Sequence, residues 1–145
     1  MAPGSCMQKL VSPYKFYAAF ENSRCRGYIT EKFRTGFSYG MVPVAFGGMS
    51  RSDYELIAPP DSFVHVDDFG SLKELAKFLL ELDKDDKKYN AYFAWKSRLQ
   101  VEDRMITGTR AYCDLCQELQ KPKAQQKPVR RFGNLTKWWY SGCRD

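Results

Sequence analysis

Two short strings carry the chemistry-bearing residues of this chain: Phe20-Glu21-Asn22-Ser23, and Tyr28-Ile29-Thr30-Glu31-Lys32 a few residues on. Tyr14 to Phe20 is aromatic and mostly apolar with one interrupting charge, and it predicts a strand buried on both faces of an α/β sheet. Glu21 and Asn22 then fall at its carboxyl end. A loop follows, and Thr30 is placed to cap a helix whose first turn holds Glu31 and Lys32. In open α/β sheets ligands bind beyond the carboxyl ends of strands, where helix amino termini offer unpaired N–H groups and partial positive charge. Lys32 would meet a diphosphate there, and Glu31, an acceptor-only carboxylate, would take the two hydroxyls of a ribose. Capping and solvated charge satisfy the same spacing. Neither Gly-x-Gly-x-x-Gly nor Gly-x-x-x-x-Gly-Lys-Ser/Thr is present, so no generic nucleotide fingerprint decides between the two readings.

The longer string decides it. Tyr14-Lys15-Phe16-Tyr17, Phe20 to Ser23, Tyr28 to Phe33, Val42-Pro43-Val44, Gly47-Gly48, Ala58-Pro59-Pro60, Ser62 to Phe69 and Tyr89-Asn90-x-Tyr92-Phe93-x-Trp95 stand in collinear blocks. In order and spacing they resemble the donor-binding half of the α-1,3-fucosyltransferase family. The double glycine and Ala-Pro-Pro are more similar to the invertebrate and plant enzymes that act on glycoprotein glycans than to the vertebrate Lewis type.

The resemblance implies a Rossmann-like, doubly wound parallel sheet, the carboxyl-terminal lobe of a GT-B glycosyltransferase. That lobe would bind GDP-fucose through Asn22, Tyr28, Thr30, Glu31 and Lys32. The reaction implied is an inverting transfer of L-fucose to a GlcNAc-containing glycan of a glycoprotein, with Lys32 stabilising the departing GDP. The general base, a further phosphate-binding arginine and the membrane anchor are expected outside these residues, so the chain alone should bind a guanine nucleotide weakly and transfer little fucose. The alternative is an inactive fragment serving as a nucleotide-binding or protein-interaction module. Two departures stand inside the motifs. Gly27 replaces the acidic residue that usually precedes the tyrosine, and Gly36 falls within the predicted helix at a cost of about 1 kcal/mol.

Length and composition agree with one lobe. The 145 residues are 43% hydrophobic and 15% aromatic, enough to bury a core. The organisation expected is a GDP-fucose-binding lobe over 1–105, with its core at about 14–95, and a helical, cysteine-containing tail over 106–145 with a basic linker near 121–131. No run approaches the ~18 apolar residues of a membrane span, so membrane association would depend on an anchor outside the chain. Five cysteines and the sequon Asn134-Leu135-Thr136 suit an oxidising, glycosylating lumen, and the resemblance makes that the Golgi. The net charge of +6 is spread along the chain without a nucleic-acid motif, and no nucleic-acid partner is expected.

The remaining motifs read as architecture. Val42 to Phe46 predicts a second buried strand, with Gly47-Gly48 as the opposite wall of the donor cleft. Arg51 to Glu55 continues it, and the resemblance makes this loop a donor contact. Phe63 to Val66 predicts a third strand. Asp67-Asp68 precede a capping box, Ser71-Leu72-Lys73-Glu74, on a helix to Asp83 whose stripe Leu72, Leu75, Ala76, Leu79 and Leu82 would be core. Asp83-Lys84-Asp85 spells Asp-x-Asp but lies in a charged turn, and no metal is required. His65, the only histidine, is read as structural. Tyr92, Phe93 and Trp95 would form an interface, here with the amino-terminal lobe. Cys113-x-x-Cys116 fits neither a redox pair nor half of a zinc site. The family pairs such cysteines with others elsewhere, which leaves Cys143 or residues beyond this chain, while Cys6 and Cys25 flank the first strand and are candidates for a bond with each other.

Overall fold

The computed structural model describes residues 13–101, 104–125, 128, 131 and 133–144. Three parallel strands form its centre: β1 (Phe16–Phe20), β3 (Val42–Phe46) and β4 (Val64–His65), in the order β1-β3-β4. Phe16 lies opposite Val42 and Phe20 opposite Phe46, while Val44 and Ala45 pair with Val64 and His65. A two-residue strand after β1, β2 (Arg24–Cys25), pairs antiparallel with β5 (Cys143–Arg144) near the end of the chain. Between them run α1 (Glu31–Ser38), α2 (Arg51–Glu55), α3 (Leu72–Asp83), α4 (Asp86–Ala91), α5 (Arg104–Gln120) and α6 (Leu135–Tyr140).

The period-two alternation of the strands sorts the core into two faces. Ala19, Ala45 and Phe63 face one side, where Phe33 of α1 and Tyr54 of α2 close over them. Val42, Val44, Val64 and Val66 face the other and pack against Leu75 of α3, with Phe78, Leu79, Tyr89, Tyr92 and Phe93 around them. Helices on both faces of a parallel sheet make the doubly wound α/β arrangement expected from the alternation of elements.

Four expectations change. β1 is not buried on both faces: among the described residues it pairs only with β3, and Phe20 is 44% exposed while Ala19 is buried. The stripe of α3 is rotated. Leu75 and Leu82 are buried with Phe78 and Leu79 beside them, but Leu72 and Ala76 are exposed. Half of the predicted capping box forms. Ser71 Oγ accepts from Glu74 N–H at 3.2 Å, while the Glu74 carboxylate reaches Gly70 N–H, one residue before the cap. Tyr92 and Phe93 belong to the lobe's own core, and Trp95 packs edge-on against Phe37 of α1.

Gly36 has a packing reason. A Cβ there would stand 2.8 Å from Pro43 Cγ and 3.3 Å from Tyr17 Cβ, so its absence lets α1 lie directly on β1 and β3. The helix gives up propensity for that close approach.

Candidate functional site

The carboxyl end of β1 and the amino end of α1 meet around Glu21. Its carboxylate accepts from Thr30 N–H at 2.7 Å and from Thr30 Oγ1 at 2.8 Å, tying the start of the helix to the end of the strand. Thr30 is the N-cap, its hydroxyl oxygen accepting from Lys32 N–H at 3.4 Å. Lys32 then turns back over the strand end, where its ammonium donates to Phe20 O at 3.0 Å and to Asn22 Oδ1. The structure thus brings Asn22, Thr30 and Lys32 into one network at the mouth of the turn. Glu31 stands beside it in the first turn of α1, its side chain exposed and its carbonyl accepting from Thr35 Oγ1 at 2.8 Å.

The electrostatics of this corner follow from what Lys32 faces. Both acceptors of its ammonium are uncharged, and among the described residues no carboxylate lies within 4.0 Å of it. The charge is therefore held in place without being neutralised, next to the N–H groups of a helix start. The other cations near the strand ends differ. Arg24 pairs with Asp67 at 3.0 Å, and Arg51 pairs with Asp68 at 2.7 Å and Glu55 at 3.3 Å, which holds the Arg51 guanidinium above its ordinary value.

Tyr28 sits on the loop between β2 and α1, half-buried, with its ring edge-on to Trp139 at 5.4 Å. Gly27 before it has φ 76°, in the left-handed region that glycine adopts without strain. The double glycine has a packing role. A Cβ on Gly48 would come within 2.4 Å of Arg24 C and Cys25 N, so Gly48 admits the backbone of β2. Arg24 fixes the same loop from the other side, donating from Nε to Gly47 O at 3.2 Å and lying over the Phe46 ring. Glu21 and Arg24 are thus the two anchors that sequence reasoning missed. Their partners are nine, 23 and 43 residues away, and no local pattern signals them.

The other candidates are structural. His65 is buried, with Nε2 donating to Met49 O at 3.2 Å and Nδ1 accepting from Asp67 N–H. Asp67 and Asp68 are held by arginines on a 3-10 turn (Val66–Asp68) rather than at the start of α3. Asp83 and Asp86 pair with Lys15, and Asp85 caps α4 by accepting from Lys88 N–H, which holds its carboxyl below the usual range. In the loop after β3, Ser50 caps α2 in a reciprocal box with Asp53, and Tyr54 is fully buried. A cleft of about 470 Å³ beside α1 is lined by Ile29, Thr30, Phe33, Arg34, Pro59 and Trp95 among others, and it shares only Thr30 with the predicted set.

The cysteines pair differently from the expectation. Cys25 is bonded to Cys143, so a Cys6–Cys25 bond is excluded, and Cys6 itself lies outside the described residues. Cys113 and Cys116 are free and exposed on α5, so Cys143 is not their partner. Asn134 is exposed and caps α6, its Oδ1 accepting from Lys137 N–H at 2.7 Å.

Known proteins resemble this chain over most of its length. The family described as glycosyltransferase family 10 (fucosyltransferase), C-terminal part, matches residues 1–138. The human 4-galactosyl-N-acetylglucosaminide 3-alpha-L-fucosyltransferase and 3-galactosyl-N-acetylglucosaminide 4-alpha-L-fucosyltransferase are each 46% identical over 125 residues, covering 86% of this chain and 34% of theirs. The glycoprotein 3-alpha-L-fucosyltransferase A of Drosophila melanogaster is 42% identical over 135 residues, 92% of this chain and 25% of that one. The chain thus spans between a quarter and about a third of the length of these relatives. A crystal structure of an alpha1,3-fucosyltransferase with GDP superposes with a TM-score of 0.54 at 29% identity, over 62% of this chain and 26% of that chain.

Proposed function

This chain belongs to glycosyltransferase family 10, the fucosyltransferases, and from that premise we propose that it supplies the donor-binding half of an inverting fucosyltransferase. The donor is GDP-fucose, and the acceptor is a GlcNAc-containing glycan of a glycoprotein. The observation that carries this reading is the Lys32 ammonium, held by Asn22 and the Phe20 carbonyl with no carboxylate partner among the described residues, at the start of a helix.

In the reaction, negative charge grows on the departing GDP as the fucose becomes oxocarbenium-like. Lys32 interacts more strongly with that charge than with the intact donor, which lowers the barrier and not only the dissociation constant. Glu31, exposed and without a hydrogen-bond partner for its carboxylate among the described residues, takes the ribose hydroxyls. Asn22 fixes the ammonium, and Thr30 fixes the helix start that carries both. Tyr28 contacts the donor from the loop between β2 and α1. The base that takes the acceptor proton must act from the face opposite the leaving group. Glu21, Asp67 and Asp68 are each committed to Thr30, Arg24 and Arg51, and the role falls to none of them.

The setting proposed is the Golgi lumen. The Cys25–Cys143 disulfide and the exposed Asn134 of the sequon both suit an oxidising, glycosylating compartment. No helix among the described residues is long and apolar enough to cross a membrane.

Thermal unfolding of the chain with nucleotides tests the reading. GDP at about a hundred times its dissociation constant should stabilise the fold by about 2.7 kcal/mol and raise the midpoint by several degrees. UDP and ATP at equal concentration should not. Equal protection by all three, or by none, would remove the donor assignment.

A further inference from the structure

The loop that carries Tyr28 is held by more than the strand and helix on either side of it. Arg24 and Cys25 pair with Arg144 and Cys143, Arg26 N–H donates to Gly142 O at 2.6 Å, and the disulfide joins Cys25 to Cys143. The same end of the chain brings α6 against the loop, and Trp139 meets the Tyr28 ring edge to face, centroids 5.4 Å apart and planes at 82°. Its neighbours Trp138 and Tyr140 are 52% and 67% exposed, against 38% for Trp139. Gly27, in the left-handed region directly before Tyr28, turns the loop, and Tyr28 N–H donates to Cys25 O at 3.2 Å, so among the described residues the ring's one aromatic partner is Trp139.

We propose that Trp139 is a positioning residue for the donor site, setting the orientation of the Tyr28 ring on the loop before α1, with the β2–β5 pairing and the Cys25–Cys143 bond holding Trp139 in register. The inference rests on Tyr28 being a donor contact. Trp139 touches no reacting group and acts only through the ring it faces. Aromatic pairs of this geometry prefer an edge-to-face approach, and the quadrupoles make the arrangement directional where an aliphatic neighbour would not be.

The test is calorimetric binding of GDP to the full chain. Trp139→Leu keeps apolar bulk and spares the fold, and it should weaken GDP binding about two- to tenfold, the range of an aromatic pair. Trp139→Phe should restore most of the loss. In a Tyr28→Ala background the leucine substitution should cost nothing further, whereas in a Lys32→Ala background its cost should add in full. Should Tyr28→Ala weaken binding while Trp139→Leu does not, the positioning role is overturned and the donor reading stands. A Trp139→Leu loss of the same size with and without Tyr28 would show a general structural effect and also overturn it. Unchanged GDP affinity in Tyr28→Ala would remove the donor reading of Tyr28 and the proposal with it.

Discussion

Lys32 and Tyr54 illustrate opposite fates of a polar group near the strand ends. The ammonium of Lys32 is oriented by neutral oxygens and keeps its charge available, while Arg24, Arg51 and Lys15 are matched with carboxylates and serve as fasteners. Tyr54 is fully buried, and its hydroxyl has no hydrogen-bond partner among the described residues. Burial pushes its phenol up from 10.0 to about 12, with the charge of Glu21 adding to the effect. The folded value lies above the unfolded one, so the stability associated with the neutral phenol is intact below 10.0 and is lost as pH rises towards 12. Denaturant unfolding across that window should show a decline on the order of 1 kcal/mol per pH unit, made shallower by Tyr54→Phe. Tyr89 and Tyr92, also raised by burial, and Lys15, raised by its pairing with Asp86, add to the slope. At neutral pH the same substitution removes an unsatisfied hydroxyl and should be neutral or stabilising by up to about 1 kcal/mol. A clear loss of stability would show that the hydroxyl has a partner in solution.

At the scale of elements, the corner proposed to hold the donor depends on β2 lying against the end of β3. Gly48 makes this possible, since any side chain there would meet the Arg24–Cys25 backbone, which cannot yield as a flexible side-chain tip would. Gly48→Ala should therefore destabilise the fold by about 1–3 kcal/mol and weaken GDP binding together, read by denaturant unfolding and by titration. Equal stability with the alanine would mean that the approach of β2 is looser than described. The elements themselves were largely legible in the sequence, because local patterns specify them. The Thr30 cap, the apolar run Val42 to Phe46 and the Ser71 cap each announced a boundary that the structure keeps. Burial was less legible. The aromatic run of β1 reads as a central strand, yet it pairs on one side only among the described residues, and Leu72 continues the helical stripe of α3 yet is exposed.

For the whole molecule, what the sequence hid is what joins distant parts. Cys25 and Cys143 are 118 residues apart, Arg24 and Asp67 are 43, and neither separation carries a period or motif. The end of the last forty residues returns to the loop before α1 through β5 and Trp139. The Asn22, Thr30 and Lys32 network was legible because the resemblance and the strand-to-helix turn pointed to the same few residues. The central claim is that this corner holds a guanosine diphosphate through the Lys32 charge. Calorimetric titration of GDP into the chain and into Lys32→Ala tests it most directly. The account predicts one saturable site whose affinity falls about ten- to hundredfold in the variant, the worth of a hydrogen bond between charged partners. GDP binding of equal strength in both would contradict it.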